Sequence, residues 1–250
     1  MEVGPPFTEQ VRLLVMLLPH VAKQDCFALK GGTAINLFLR DMPRLSVDID
    51  LAYIPVEDRD TSLAGIDDAL FKIANDIERA VPRASVRSSR LKGTDKRYKL
   101  VVSQGSTTVK GEVTPVLRGS VFPTEQRQLS PKAEAEFGFA SVPLLSFEDL
   151  YAGKICATLD RQHPRDLYDI HLLLNNEGIS ERLKNAFLVY LMSHNRPMAE
   201  LLAPHLVDIE PLYRTEFDGM TFEPISLQDL EGTLPQLIQK IHGTLTDPDR

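Results

Sequence analysis

The apolar positions change their period along the chain. Val11, Leu14, Leu17, Leu18 and Val21 recur at helical spacing over residues 8–23, with Thr8 placed to cap the start. FALKGG (27–32) reads as a short strand, TAINLFLRD (33–41) as a helix opened by the glycine pair, and LSVDIDLAYI (45–54) as a strand. Leu63, Ile66, Leu70, Ile73, Ile77 and Ala80 follow a three-four pattern that predicts an amphipathic helix over 61–80. KRYKLVVSQ (96–104) and TTVKGEVTPV (107–116) read as two strands joined by a tight turn at Gly105-Ser106. A polar, proline-containing stretch, 119–143, breaks the pattern. Beyond it the chain reads as helices: FEDLYAGKICATLD (147–160), RDLYDIHLLL (165–174), ERLKNAFLVYLMSH (181–194) and LQDLEGTLPQLIQKIHG (227–243). Ser146 caps the first of these, and Asp149 stands at capping-box spacing. The order predicts an α+β chain in which a mixed-sheet domain, 1–143, precedes a helical domain, 144–250, with a cleft between them.

Composition narrows the class. A chain of 250 residues, 43% hydrophobic and 25% charged, is an ordinary globular one. Its apolar run LLVMLL (13–18) is far too short to cross a bilayer, and the start carries no basic segment or small-residue cleavage pattern, so no membrane partner is expected. Two cysteines, Cys26 and Cys156, make neither a disulfide framework nor a metal spacing, which points to a reducing cytoplasm. The net charge of −7 hides a local excess of cations. Arg83, Arg87, Arg90, Lys92, Lys96, Arg97 and Lys99 stand within 83–99 against Asp95 alone. Such a strip on an acidic body is either a solvated loop or a surface for a polyanion.

Asp48 and Asp50 are the first candidates for chemistry. On a strand, residues i and i+2 share a face, roughly 6.5–7 Å apart. Val47, Ile49 and Leu51 then turn the other way, into a core. Two neighbouring carboxylates repel unless a cation lies between them or one takes a proton. A hard divalent ion is the simplest compensation, and magnesium favours carboxylates together with substrate phosphates. An edge strand with two solvated aspartates is the plain alternative, but aspartate is depleted in strands. Gly31 and Gly32 close a strand and open a helix, where glycine lets a ligand approach the backbone. The following helix turns its unpaired amides toward a phosphate, and Thr33 adds a hydroxyl.

Gly-Gly-Thr, a short helix and then Asp-x-Asp on a strand resemble the signature of the polymerase-β-like nucleotidyltransferases. The stretches GEVTPVLRG (111–119) and YAGKICATLDRQHPRDLYDIHLLL (151–174) sharpen this to a resemblance to the AbiEii/AbiGii toxin family, covering residues 27–175. The resemblance implies a polymerase-β-like mixed-sheet domain followed by helices. It also implies transfer of a nucleoside monophosphate from a nucleoside triphosphate, with Mg2+ (or Mn2+) as cofactor. Asp48 and Asp50 would hold the metal, with Glu112 as a third carboxylate. Gly31, Gly32 and Thr33 would cradle the triphosphate. Lys154 would contact its phosphates, Asp169 matches a required aspartate, and Arg165 suits phosphate binding. The acceptor implied is RNA, particularly a tRNA 3′ end, with the strip 83–99 tracking its backbone. The family also implies a cognate antitoxin and a place in phage defence. Two other readings remain at this stage: a silent binding module that keeps the fold, and a transferase acting on a small molecule or a protein. Arg165 with Asp166 could form an internal ion pair. His163 reads as a loop residue, and Tyr53 as a packed or exposed ring with base stacking the less favoured option.

Overall fold

The computed structural model describes residues 5–245. The chain forms two compact units that divide between Leu145 and Ser146.

The first unit is built on one seven-stranded mixed sheet: β1 (Phe27–Lys30), β2 (Asp48–Tyr53), β3 (Ala84–Arg90), β4 (Arg97–Gln104), β5 (Thr107–Arg118), β6 (Glu125–Gln128) and β7 (Ser141–Leu144). Their spatial order is β3-β4-β5-β2-β1-β7-β6. β2 therefore lies inside the sheet, antiparallel to β1 and parallel to β5. Two long helices, α1 (Pro5–Val21) and α3 (Arg59–Ala80), belong to this unit. Leu17 and Val21 of α1 and Leu70, Ile73 and Ile77 of α3 meet Ile49, Leu51, Leu100, Val102, Val109 and Gly111 around a residual cavity of only ≈ 20 Å³. The alternation expected for β2 is present: Ile49 and Leu51 are buried in this core, while Asp48 and Asp50 keep partial exposure.

Several boundaries moved, each for a local reason. α1 starts at Pro5, so Thr8 lies within the helix and caps nothing. α3 starts at Arg59, because Asp58 caps it by accepting from the amides of Asp60 and Thr61, both at 3.0 Å. The helix expected over 33–41 is a short α-turn, α2 (Gly31–Ala34), that widens into a π-helical turn, Ile35–Leu39. Within it the amide of Arg40 reaches back to the carbonyl of Ile35 at 2.8 Å, and the Asn36 amide side chain donates to the Gly32 carbonyl at 2.9 Å. The polar stretch 119–143 is not structureless. It holds β6, α4 (Pro131–Phe137) and β7. β6 reads EQRQ, is exposed throughout and lies at the sheet edge, so it carries no alternation to detect.

The second unit is helical: α5 (Phe147–Arg161), α6 (Pro164–Asn176), α7 (Glu181–Met192), α8 (Met198–Leu202), α9 (Glu210–Glu216) and α10 (Leu227–Thr244). α5 packs against α6, α7 and α8, and α10 covers α6. Ser146 caps α5 as its sequence predicts. Its hydroxyl accepts from the Asp149 amide at 3.0 Å and donates to the Asp149 carboxylate at 2.7 Å. Among the described residues no helix is long and apolar enough to cross a membrane. Cys26 and Cys156 are both free thiols.

Candidate functional site

The strand register brings the carboxylates together. Glu112 lies directly beside Asp50, and Lys110 beside Asp48, in the parallel β2–β5 pair. Lys30 stands opposite Asp50 on β1, and Lys99 opposite Glu112 on β4. Aligned residues on neighbouring strands share a face. One row across four strands thus reads Lys30, Asp50, Glu112, Lys99, and this face is the one turned away from α1 and α3. The Lys99 ammonium lies 3.0 Å from Glu112 Oε2. That hydrogen bond raises the lysine pKa, against the lowering by burial. The Lys30 ammonium donates to the Thr114 hydroxyl at 2.7 Å.

The glycine turn is fitted to this row. Gly31 has φ +74°, and a Cβ placed there would come within 2.5 Å of Asp50 Oδ2. Both the backbone conformation and the carboxylate require glycine. A Cβ on Gly32 would meet the Arg44 guanidinium at 2.8 Å and the Ser46 hydroxyl at 2.9 Å. Thr33 is fully buried. Its hydroxyl donates to the Asp48 carbonyl at 2.5 Å and lies 3.0 Å from Ser46 Oγ. The hydroxyl expected to meet a phosphate therefore holds the start of the carboxylate strand.

These donors fit a hard divalent ion in their chemistry. All are oxygens, and two sit on one strand face beside a backbone turn with no side chain. Among the described residues no group of three or more His, Cys, Asp or Glu converges as a metal site. An ion here would rest on Asp48 and Asp50 and fill its shell with substrate oxygens and water, as magnesium commonly does.

The helical unit carries the second cluster. The Lys154 ammonium lies 2.8 Å from Asp166 Oδ1 and 3.0 Å from Asp169 Oδ2. Lys154 is 7% exposed, Asp166 1% and Asp169 0%. Arg161 grips Asp166 as well, through Nε at 2.6 Å and a terminal nitrogen at 3.1 Å. Burial pushes the Asp166 carboxyl up, but Lys154 and Arg161 outweigh it and hold the group far below the usual range. Lys154, expected at the phosphates, here neutralises two buried carboxylates. The suggested Arg165–Asp166 pair is not formed as such: Asp166 takes Lys154 and Arg161, while Arg165 lies 3.6 Å from Glu216. His163 is more than a loop residue. It caps α6 by accepting from the Arg165 amide at 3.1 Å, and its other ring nitrogen meets Glu216 at 3.1 Å.

The basic strip is divided. Its segment forms β3, a short connection and the start of β4, so it is not a plain loop. Arg87 and Lys99 fall on the carboxylate face by register. Arg97 does not. It donates to Asp67 of α3 at 2.7 Å and lies 4.9 Å over the Phe71 ring, on the helix-covered face. The local reason is the irregularity in β3–β4 pairing between Ser89 and Arg90. Arg90 bonds the Asp95 carbonyl within its own connection. Arg83 stands before β3 with φ +59°, and Lys92 and Lys96 lie in the β3–β4 connection. Tyr53 is buried, 6.1 Å from the Phe27 ring, and burial pushes its hydroxyl pKa up to about 12. It is a packed ring and no stacking platform.

Sequence reasoning missed Lys30, Arg44, Ser46 and Lys110. Only the register and the fold of the 40–47 loop, with the left-handed turn at Met42 (φ +54°), place them here.

A mixed sheet with paired strand carboxylates beside a diglycine turn, followed by helices, is the architecture of a nucleotidyltransferase. Comparison with solved structures agrees at the level of fold. MenT4, a nucleotidyltransferase toxin from Mycobacterium tuberculosis H37Rv, matches 98% of this chain over 88% of its own, with a TM-score of 0.66 and 17% identity. Terminal uridylyl transferase 4 from Trypanosoma brucei, with bound dUTP, matches at 12% identity over 97% of this chain and 75% of its own. Its TM-score of 0.34 is too low to carry an argument. No curated protein matches. The family profile described as "Nucleotidyl transferase AbiEii toxin, Type IV TA system" matches residues 12–243, and the chain belongs to that family. It is a nucleotidyltransferase toxin of a toxin–antitoxin system.

Proposed function

We propose that the protein transfers a nucleoside monophosphate from a nucleoside triphosphate to a hydroxyl of RNA, with a tRNA 3′ end as the acceptor the family resemblance favours, in a magnesium-dependent reaction. The observation that carries this reading is the fit of Gly31 against Asp50 on the Asp48–Asp50 strand face, with Glu112 alongside. Asp48 and Asp50 hold the ion, which when bound supplies charge neutralisation to the phosphates. Gly31 and Gly32 admit the β- and γ-phosphates to the backbone, while Thr33 fixes the strand behind them. Glu112 receives the proton of the attacking hydroxyl. The oxygen–α-phosphorus bond forms as the bond to the β-phosphate bridging oxygen breaks, and pyrophosphate leaves. Lys154, Asp169 and Arg165 serve the nucleotide phosphates, directly or by fixing the helices that carry them. The toxin acts against its own host until an antitoxin counters it, and phage defence is the setting the family resemblance favours.

The test is incubation with each labelled nucleoside triphosphate, Mg2+ and total RNA. One RNA class should take label, and Asp48→Asn or Asp50→Asn should abolish labelling while leaving the melting temperature near wild type. Near-full transfer by either variant would overturn the metal assignment. Label on protein or on a small molecule alone would overturn the RNA acceptor.

A further inference from the structure

The carboxylate face carries a second cross-strand row whose members no sequence motif unites. Asp48 on β2 aligns with Lys110 on β5, Lys110 with Val101 on β4, and Val101 with Arg87 on β3. β3 is a sheet edge, so the row runs from a candidate metal carboxylate to the rim across three strand spacings. At ~4.8 Å each this is about 14 Å. Lys110 and Arg87 are exposed, and neither has an ion partner among the described residues. Their companions at the same face are Val101, Ser85, Ser89, Ser103 and Thr108, by register. None is aromatic and none is an amide. Apart from the Arg87 guanidinium, assigned below to a phosphate, such a surface has no ring on which to stack a base and no amide to read one. Two other cations of the strip are turned elsewhere: Arg97 into α3, and Arg90 onto its own connection.

We propose that the row Asp48–Lys110–Val101–Arg87 is the track along which a polynucleotide acceptor reaches the carboxylates, with Lys110 and Arg87 each clasping a backbone phosphate. This rests on the transferase reading above and adds where the acceptor runs and what is read. The backbone is held and base identity is not, so acceptor choice comes from elsewhere in the complex. Lys99, held by Glu112, flanks the end of the track.

The test compares two double variants of equal charge change: Arg87→Gln/Lys110→Gln on the track, and Arg59→Gln/Arg79→Gln on α3, which packs on the opposite sheet face. Binding of a labelled RNA is measured against salt, for two RNAs of unrelated sequence, together with nucleoside triphosphate binding. Each phosphate contact contributes about 0.7–0.9 to the log–log salt slope. The track variant should lose roughly 1.4–1.8 of slope for both RNAs, and between 50 and 200 mM salt its binding should fall about 7- to 12-fold less than that of the wild type. Its nucleoside triphosphate binding should fall far less than its RNA binding, and the α3 variant should keep the wild-type slope. Equal flattening in both double variants, or in neither, would overturn the track while leaving the transferase reading intact. A loss confined to one RNA sequence would overturn the claim that only backbone is read. Wild-type protein that transfers label but binds no RNA would defeat the acceptor reading and the track with it.

Discussion

Replacing Lys154 by alanine should destabilise the helical unit before it says anything about catalysis. The lysine is 7% exposed and lies within 3.0 Å of two carboxylates that are themselves 1% and 0% exposed. Removing one partner of a buried ion pair leaves uncompensated charge, at a cost of about 3–5 kcal/mol. Arg161 still holds Asp166, so the low end of that range is the better expectation. For a chain of this size each kcal/mol lowers the melting temperature by about 2–4 °C, giving a drop of roughly 6–20 °C. The assay is urea and thermal unfolding followed by circular dichroism, for Lys154→Ala, Asp169→Asn and the double variant. The double variant removes opposite charges together and should be less destabilised than the sum of the two. The pH dependence has a definite sign. Asp166 is held below its unfolded pKa, so its contribution to wild-type stability is complete above about pH 4 and is lost as pH falls through the lowered folded value. Without Lys154 the stripped carboxylates take up protons more readily, and the variant's deficit should shrink on going from pH 7 to pH 5. A wild-type unfolding midpoint for Lys154→Ala, or additive effects in the cycle, would refute the reasoning. A growth test of Lys154→Ala therefore needs a measurement of soluble protein beside it.

Gly31→Ala should cost about 1–2 kcal/mol for a left-handed alanine and push the Asp50 carboxylate aside. It should thus weaken Mg2+-dependent nucleotide binding far more than it lowers the melting temperature, and the reverse ordering by calorimetry would count against the site. Arg97→Ala should lower stability by about 1–2 kcal/mol through the lost Asp67 pair and the Phe71 contact, seen as a shifted urea midpoint. An unshifted midpoint would return Arg97 to the exposed strip.

What could be read in advance depended on whether one element held the information. Asp48 and Asp50 alternate with Ile49 and Leu51 inside a single strand, so their face was legible from spacing alone. The Ser146 cap was equally local. Glu112 needed a strand pairing as well, and only the family resemblance, which calls for a third carboxylate, pointed to it. The order of strands across the sheet could not be read, so the alignment of Lys30, Lys99 and Lys110 with the carboxylates was hidden. Thr33 shows the opposite failure. It lies at the glycine turn as expected, but a burial decided by the fold of 40–47 turns its hydroxyl inward to Asp48 and Ser46. In the strip, composition treated seven cations as one surface, whereas pairing and one irregularity sent Arg97 to the far face.

The central strands therefore divide their duties by parity. Ile49, Leu51, Val109, Gly111 and Val113 fill the face under α1 and α3 or the buried sheet interior, where closeness of packing sets stability. Asp48, Asp50, Lys110 and Glu112 fill the other, where a closely packed apolar set would exclude substrate. The second face cannot be stabilised by burial, and three carboxylates alone would repel. Interleaved lysines solve this without closing the face: Lys30 and Lys99 flank the row of Asp50 and Glu112, and Lys110 stands beside Asp48. Such cations lower the repulsion at rest and remain available to phosphates, since an exposed lysine pair is worth only about 0–1 kcal/mol and is readily exchanged. A strand with aspartates against its propensity is stable here because its reverse side anchors the core. A one-residue slip of β2 would exchange the two faces and destroy core and site together. Thr33, bonded to the Asp48 carbonyl at the strand's first residue, and Gly31, fitted against Asp50, are placed to hold that register.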